Sequence, residues 1–292
     1  MNHERGGSWR VYLRLGRVSN LPTVWTNVLA AVVLSGASLD AGALAALLVA
    51  LSLFYTAGMY LNDAFDREVD ARERPERPIP SGAIGAVAVF GLGYAMLAAA
   101  ILILAATSTR GSWKAVLSAL ALAAVIVYYD ARHKRDPLSP LWMGLCRVLI
   151  YVTVGFAVAG RASGPLIGGA LVLLSYLIGL TYVAKQETLS EYRNLWPLAF
   201  LFAPFVYAAP TLLGSAAGAL IYAGFLAWVC YAISWLVRKG RVNIPRAVIS
   251  FIAGISLLDA LLIAGRGQPA AAAWAIGGFV LTLALQRYVR GT

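Results

Sequence analysis

Charge is scarce in this chain. Of 292 residues, 13% are Asp, Glu, Lys or Arg, while 60% are hydrophobic and the mean hydropathy is +0.75. A typical soluble domain is about a quarter charged, so an ordinary soluble core is excluded and the membrane class is indicated. Cysteine is nearly absent. Cys146 and Cys230 both lie in apolar runs with no CxxC spacing, which argues against a disulfide framework or a soft-metal site. Histidine occurs twice, as His3 and His133, too far apart in sequence to suggest a histidine-based metal centre. A cleavable leader is not expected either: MNHERGGSWRVYLRLGR has no apolar core ahead of its charges and reads as a basic juxtamembrane helix.

What the chain has in abundance is long apolar runs. A helix needs about 20 apolar residues to cross a bilayer, and lipid offers no partners to open backbone groups, so each crossing is helical. Candidate spans lie near 21–38, 42–62, 83–107, 113–129, 138–160, 165–186, 194–213, 216–237, 246–264 and 270–288. The expected fold is all-α: a polytopic transmembrane helix bundle of nine to ten spans forming one domain over residues 1–292.

Loop charges support this segmentation. Of the 24 basic residues, Arg147 falls inside a span and Arg110, Lys114, Arg161 and Arg266 fall on one side, leaving nineteen on the other. Such a bias marks the cytoplasmic side and puts both termini there. The net charge of +11 then reads as basic loops facing an anionic leaflet rather than as a nucleic-acid surface. The expected setting is a bacterial inner membrane, with no nucleic-acid partner. Eleven of the thirteen acidic residues also gather on the cytoplasmic side, all but Asp40 and Asp259. The positive-inside bias does not account for them.

Six of those acids fall within residues 60–82, YLNDAFDREVDARERPERPIPSG. Asn62, Asp63, Asp66 and Asp70 form N-D-x-x-D-x-x-x-D. Steps of three and four place Asp63, Asp66 and Asp70 on one helix face. Three like charges in a row repel, and a hard divalent cation is their natural compensator; a solvated helix end with arginine partners is the plain alternative. Arg72, Arg74 and Arg77 are candidates for phosphate oxygens, or simply part of the basic loop. PIPSG is expected to turn the chain toward the next span.

This motif at the end of a second span, followed by Arg77-Pro78-Ile79-Pro80-Ser81-Gly82, resembles the UbiA family of intramembrane prenyltransferases. The resemblance implies a helical bundle around a cavity open to lipid-soluble substrates. It also implies a prenyl diphosphate held through Mg²⁺ by the aspartates, and transfer of the prenyl group to an aromatic or otherwise lipid-soluble acceptor. Catalytic and metal-holding roles then fall to Asp63, Asp66 and Asp70, with Asn62 on the diphosphate.

The family carries a second motif, DxxxD, after its sixth helix. The matching stretch here, YVAKQETLSEYRN, has Glu187 and Glu191 four residues apart, and these are the candidates for the second metal site, with Lys185 beside them for the diphosphate. YVAKQE is similar to the EboC-like branch of the family. The connection to the next helix is short and a tenth span follows the usual nine, two departures from the family pattern. A third cluster, YYDARHKRD, stands where the family often has Tyr-x-x-x-Lys, and offers Arg132 and Lys134 for the diphosphate; Asp130 reads as a local ion-pair partner or as an acceptor-side base. Arg147 in GLCRVLIY is the one basic residue deep in a span, expected to face a polar cavity or to pair with a carboxylate, and by the resemblance it is a further candidate for the diphosphate. Asn20 and Asn27 are candidates for the same cavity. The implied activity is Mg²⁺-dependent prenyl transfer inside the membrane. The alternative is a non-catalytic relative that binds or transports an isoprenoid or another lipid-linked precursor.

Overall fold

A computed structural model of the protein describes residues 9–108, 112–185, 196–237 and 242–289. Regular structure among them is entirely helical. A short amphipathic helix α1 (Trp9–Leu15) and a 3-10 turn at Val18–Asn20 lead into α2 (Leu21–Ser35). Then come α3 (Ala41–Phe65), α4 (Arg67–Glu73), α5 (Ala86–Thr107), α6 (Ser112–Arg132), α7 (Ser139–Ala159) and α8 (Gly164–Lys185). A 3-10 stretch at Trp196–Phe202 runs into α9 (Ala203–Leu212), followed by α10 (Ala216–Val237), α11 (Ile244–Ala264) and α12 (Pro269–Gln286).

Nine helices among the described residues are long and apolar enough to cross a membrane. The expected crossing at 194–213 takes a different form. Trp196–Phe202 is 3-10 and α9 has ten residues. At about 2.0 Å per 3-10 residue and about 1.5 Å per α residue, a straight run of the pair is about 29 Å long, close to the hydrocarbon thickness. Pro204 explains part of the switch. It has no N–H for the Phe200 carbonyl four residues back, and that carbonyl accepts instead from the Ser175 hydroxyl of α8 at 3.0 Å.

Helices α2 and α11 are the most enclosed and α12 the least. Helix α2 packs against α3, α7, α8, α11 and α12, which makes it the hub of the bundle. The start of α3 is fixed by Asp40, whose carboxylate caps the Ala43 N–H at 2.9 Å. Between α4 and α5 the chain turns through 74–85, where Gly82 has φ 75°, a left-handed conformation that favours glycine.

Candidate active site

The aspartate row does not sit on one unbroken helix. Helix α3 ends at Phe65, Asp66 is the junction, and α4 starts at Arg67. The backbone nevertheless keeps its i→i−4 bonds across the break, from Asp66 N–H to Asn62 C=O and from Asp70 N–H to Asp66 C=O, both at 2.9 Å. That continuity keeps the three side chains together. Asp63, Asp66 and Asp70 are all buried, and each has a basic partner.

Arg17 Nη2 donates to Asp63 Oδ1 at 2.9 Å. Arg77 Nη1 lies 2.6 Å from Asp70 Oδ2 and 3.4 Å from Asp63 Oδ1, bridging the ends of the row. Asp66 Oδ2 lies 3.4 Å from Lys134 Nζ and 3.5 Å from His133 Nε2. The turn after α4 returns Arg77 to the row, with Ser81 N–H bonded to Arg77 C=O at 3.0 Å and Ala83 N–H to Pro78 C=O at 3.0 Å. Burial alone pushes the Asp66 carboxyl up, but His133 and Lys134 outweigh it and hold the group below its ordinary value. For Arg17, burial works against the charge, but Asp63, Tyr55, Tyr129 and Asp130 together outweigh it, so the guanidinium ends above its ordinary value.

Arg17 is also the only non-glycine among the described residues with positive φ, at φ 41° and ψ 48°. A β-carbon makes this conformation costly. The turn is held by the Asn20 N–H on the Arg17 carbonyl at 3.0 Å, and the Tyr55 hydroxyl donates to the same carbonyl at 3.3 Å.

Two cavities adjoin this cluster. One is polar and includes Asp66, His133, Lys134 and Asp130. The other is largely apolar and runs between α3, α6, α7, α8 and α11, with Tyr55, Ile126, Tyr129, Leu177 and Ile255 in its wall and Arg17, Asp130 and Arg147 as its charged groups. Helical periodicity aims these residues. Leu122, Ile126, Tyr129 and Asp130 share a face of α6, His133 follows in the turn just past its end with its N–H on the Tyr129 carbonyl at 2.8 Å, and Met143, Cys146, Arg147 and Ile150 share a face of α7.

The remaining candidates separate. Asn62 joins the row, receiving Arg17 Nη2 on Oδ1 at 3.4 Å and giving Nδ2 to Asp130 Oδ1 at 3.3 Å. Arg72 is exposed and is not among the aspartates' partners. Arg132 is exposed over the Tyr128 ring, 5.7 Å from its centroid, at the edge of the polar cavity. Lys185 donates to the Asp136 carbonyl at 2.9 Å. Arg147 belongs to the apolar cavity rather than to the aspartate row. It donates to Asn27 Oδ1 at 2.7 Å and to the Thr23 hydroxyl at 3.1 Å, and lies over the Tyr55 ring. Glu187 and Glu191 lie outside the described residues.

Behind Arg147 is a network that the sequence reading left unassigned. Asp259, fully buried on α11, accepts from the Thr26 hydroxyl at 2.6 Å, from Asn27 Nδ2 at 2.8 Å and from the Tyr151 hydroxyl. Asn27 thus carries the Arg147 charge to a carboxylate one step away. Arg17 and His133 were the other unassigned members of the site. A lone carboxylate in the middle of an apolar span was the available signal for Asp259; nothing local marked Arg17 apart from the other N-terminal arginines.

The UbiA prenyltransferase family model matches residues 21–255. A digeranylgeranylglyceryl phosphate synthase of Methanopyrus kandleri is 33% identical over 179 residues, covering 59% of this chain and 60% of the relative. The same-named protein of Ignicoccus hospitalis is 38% identical over 131 residues, 44% of this chain and 40% of its own. The chain therefore spans about half the length of these curated relatives. Among solved structures, a UbiA homolog from Archaeoglobus fulgidus bound to GPP and Mg²⁺ superposes with a TM-score of 0.61 at 18% identity, covering 90% of this chain and 99% of the other. At that identity the likeness speaks for the fold.

Proposed function

The chain belongs to the UbiA prenyltransferase family, and from that footing we propose that it is an integral-membrane, Mg²⁺-dependent prenyltransferase. In this reading it joins a prenyl diphosphate to a lipid acceptor that carries a free hydroxyl and a phosphate. The observation that carries it is the meeting of a buried, cation-paired aspartate row with an apolar cavity at Asp130 and Arg17. The relatives' name supplies the acceptor class. Digeranylgeranylglyceryl phosphate has two geranylgeranyl groups, so the step that completes it prenylates geranylgeranylglyceryl phosphate. An aromatic acceptor is the competing substrate.

The donor set suits Mg²⁺. All three groups are carboxylate oxygens, the hard ligands this ion takes, usually one or two at a time with phosphate oxygens and water completing the shell. Among the described residues no group of three or more His, Cys, Asp or Glu is gathered to hold a metal ion, and each aspartate is paired with a basic side chain instead. Asp63, Asp66 and Asp70 would hold the ion, with Glu187 and Glu191 as the second pair. Bound there, Mg²⁺ would neutralise the charge that builds on departing diphosphate.

The chain's own groups share that work. Arg77, Lys134 and His133 each touch an aspartate now and stand ready to meet phosphate oxygens, with Arg132 at the cavity rim. The apolar cavity would take the prenyl chain and exclude water from the allylic carbon, with Tyr55 and Tyr129 as aromatic faces for developing positive charge. Arg147 we assign to the acceptor's anionic head rather than to the diphosphate, because its two hydrogen-bond partners are neutral and it opens on the apolar cavity. The aspartate row would face the cytoplasm with both termini, as the basic-residue bias indicates. The reported relatives are archaeal and lend nothing to the bacterial setting expected above.

The test is the purified protein with Mg²⁺, labelled geranylgeranyl diphosphate and either geranylgeranylglyceryl phosphate or a panel of aromatic acids. Transfer to the lipid by wild type, lost in Asp66→Ala, supports the reading. Binding of the diphosphate with no product from any acceptor would favour the non-catalytic alternative, to which the glutamates of the second motif lend some weight.

A further inference from the structure

We propose that Asp130 receives the proton of the acceptor hydroxyl during prenyl transfer. This rests on the prenyltransferase reading and adds a catalytic residue to it. The first ground is position. Asp130 lies on α6 and is the one described residue common to the linings of both cavities. A prenyl diphosphate with its head at the aspartate row and its tail in the apolar cavity would set its reacting carbon near that boundary. An acceptor hydroxyl has to reach the same carbon.

The second ground is the accounting of hydrogen bonds. Asp63, Asp66 and Asp70 each face a basic side chain within ion-pair distance. Asp130 has no such partner among the described residues. Its Oδ1 accepts the Asn62 amide at 3.3 Å, and its buried Oδ2 has no donor among the described residues. A carboxylate oxygen enclosed without a donor is costly and is rarely kept for packing alone. The local ion pair that the sequence suggested as a plain alternative is not formed. An O–H entering from the acceptor would supply the missing donor, and Asn62 would hold the carboxylate in place while tying it to the helix that carries the aspartate row.

The step balances. The bond between the prenyl C1 and the diphosphate oxygen breaks, and its electron pair leaves with diphosphate. The acceptor oxygen bonds to C1, and its proton passes to Asp130. No oxidant or further reactant is needed.

The experiment uses the full chain in detergent or nanodiscs with Mg²⁺, geranylgeranyl diphosphate and geranylgeranylglyceryl phosphate. Asp130→Asn should lower kcat about 100-fold or more, in the range of a lost general base, with Tm and the Kd for geranylgeranyl diphosphate unchanged. Asp130→Glu, which keeps a carboxylate, should stay well above Asp130→Asn and gives a second reading if the amide variant folds poorly. A thiol analogue of the acceptor, which loses its proton more readily, should narrow the gap between wild type and Asp130→Asn to about tenfold. Equal rates for wild type and Asp130→Asn, or equal losses with hydroxyl and thiol, would overturn the assignment. If wild type transfers to no acceptor, the prenyltransferase reading itself fails and this inference with it.

Discussion

Arg17 reaches Asp63 across 46 positions of sequence, its Nη2 2.9 Å from Oδ1. The contact ties the segment just before α2 to the end of α3, and it is made by a residue held at φ 41°. Both side chains are largely out of water, so the pair differs from a surface salt bridge. Removing one partner leaves the other charge buried and uncompensated. Arg17→Ala is expected to destabilise the fold by about 3 kcal/mol and to lower turnover, because Asp63 loses its anchor. Arg17→Lys should recover part of the stability and less of the turnover, since an ammonium cannot also reach Asn62 and Met59 as the guanidinium fork does. Thermal unfolding and steady-state kinetics on both variants check this.

Asp66 is held below its ordinary value by His133 and Lys134 despite burial. A carboxyl lowered in the folded state contributes stability that is present above its unfolded value, about 3.9, and lost as pH falls through the folded one. The difference in Tm between wild type and Asp66→Asn should therefore be steady from about pH 8 down to about pH 5, then close below about pH 4. A difference that closes well above about pH 5 would count against the Asp66 carboxylate as the titrating group.

Arg147 should separate the two substrates. Arg147→Gln is expected to raise the acceptor KM about 10- to 100-fold, the worth of charge-assisted hydrogen bonds, and to leave the KM of the prenyl diphosphate within about twofold. The opposite pattern would return Arg147 to the diphosphate.

Asp259 is a structural prediction. Asp259→Ala strands two donors, on Asn27 and Tyr151, each costing about 1–3 kcal/mol if left unmet, while the Thr26 hydroxyl keeps the Thr23 carbonyl. The variant should lose several kcal/mol or fail to accumulate, while Asp259→Asn should be milder. Yield and Tm in detergent decide it.

What was legible beforehand follows from the range of the forces involved. The bundle could be read because lipid imposes helix on any long apolar run, and the aspartate row because spacings of three and four survive even the break at Asp66. Arg72 and Arg77 looked equivalent, since both follow the row in a basic stretch. Only the turn through Pro78 and Gly82 sends Arg77 back to Asp63 and Asp70 and leaves Arg72 in solvent. Arg17 was hidden among four N-terminal arginines, because its role depends on how the chain enters α2. The bare oxygen of Asp130 is a fact of tertiary packing, which no local pattern encodes. The 3-10 form of Trp196–Phe202 had a local cause in Pro204, but its compensation by Ser175 came from another helix.

The carboxylate at Asp259 has a consequence for how the protein is made. Thr26 and Asn27 enter the membrane on the first span, and the side chain that satisfies them is synthesised 233 and 232 residues later. Thr26 can wait, since its hydroxyl also bonds to the Thr23 carbonyl at 3.1 Å. The Asn27 amide has no other acceptor among the described residues, so α2 depends on α11 to complete it, whereas Arg147 already has Asn27 and Thr23 of α2. A chain interrupted before α11 would expose unpaired polar groups inside the bilayer, the kind of lesion by which an unfinished membrane protein is told from a finished one.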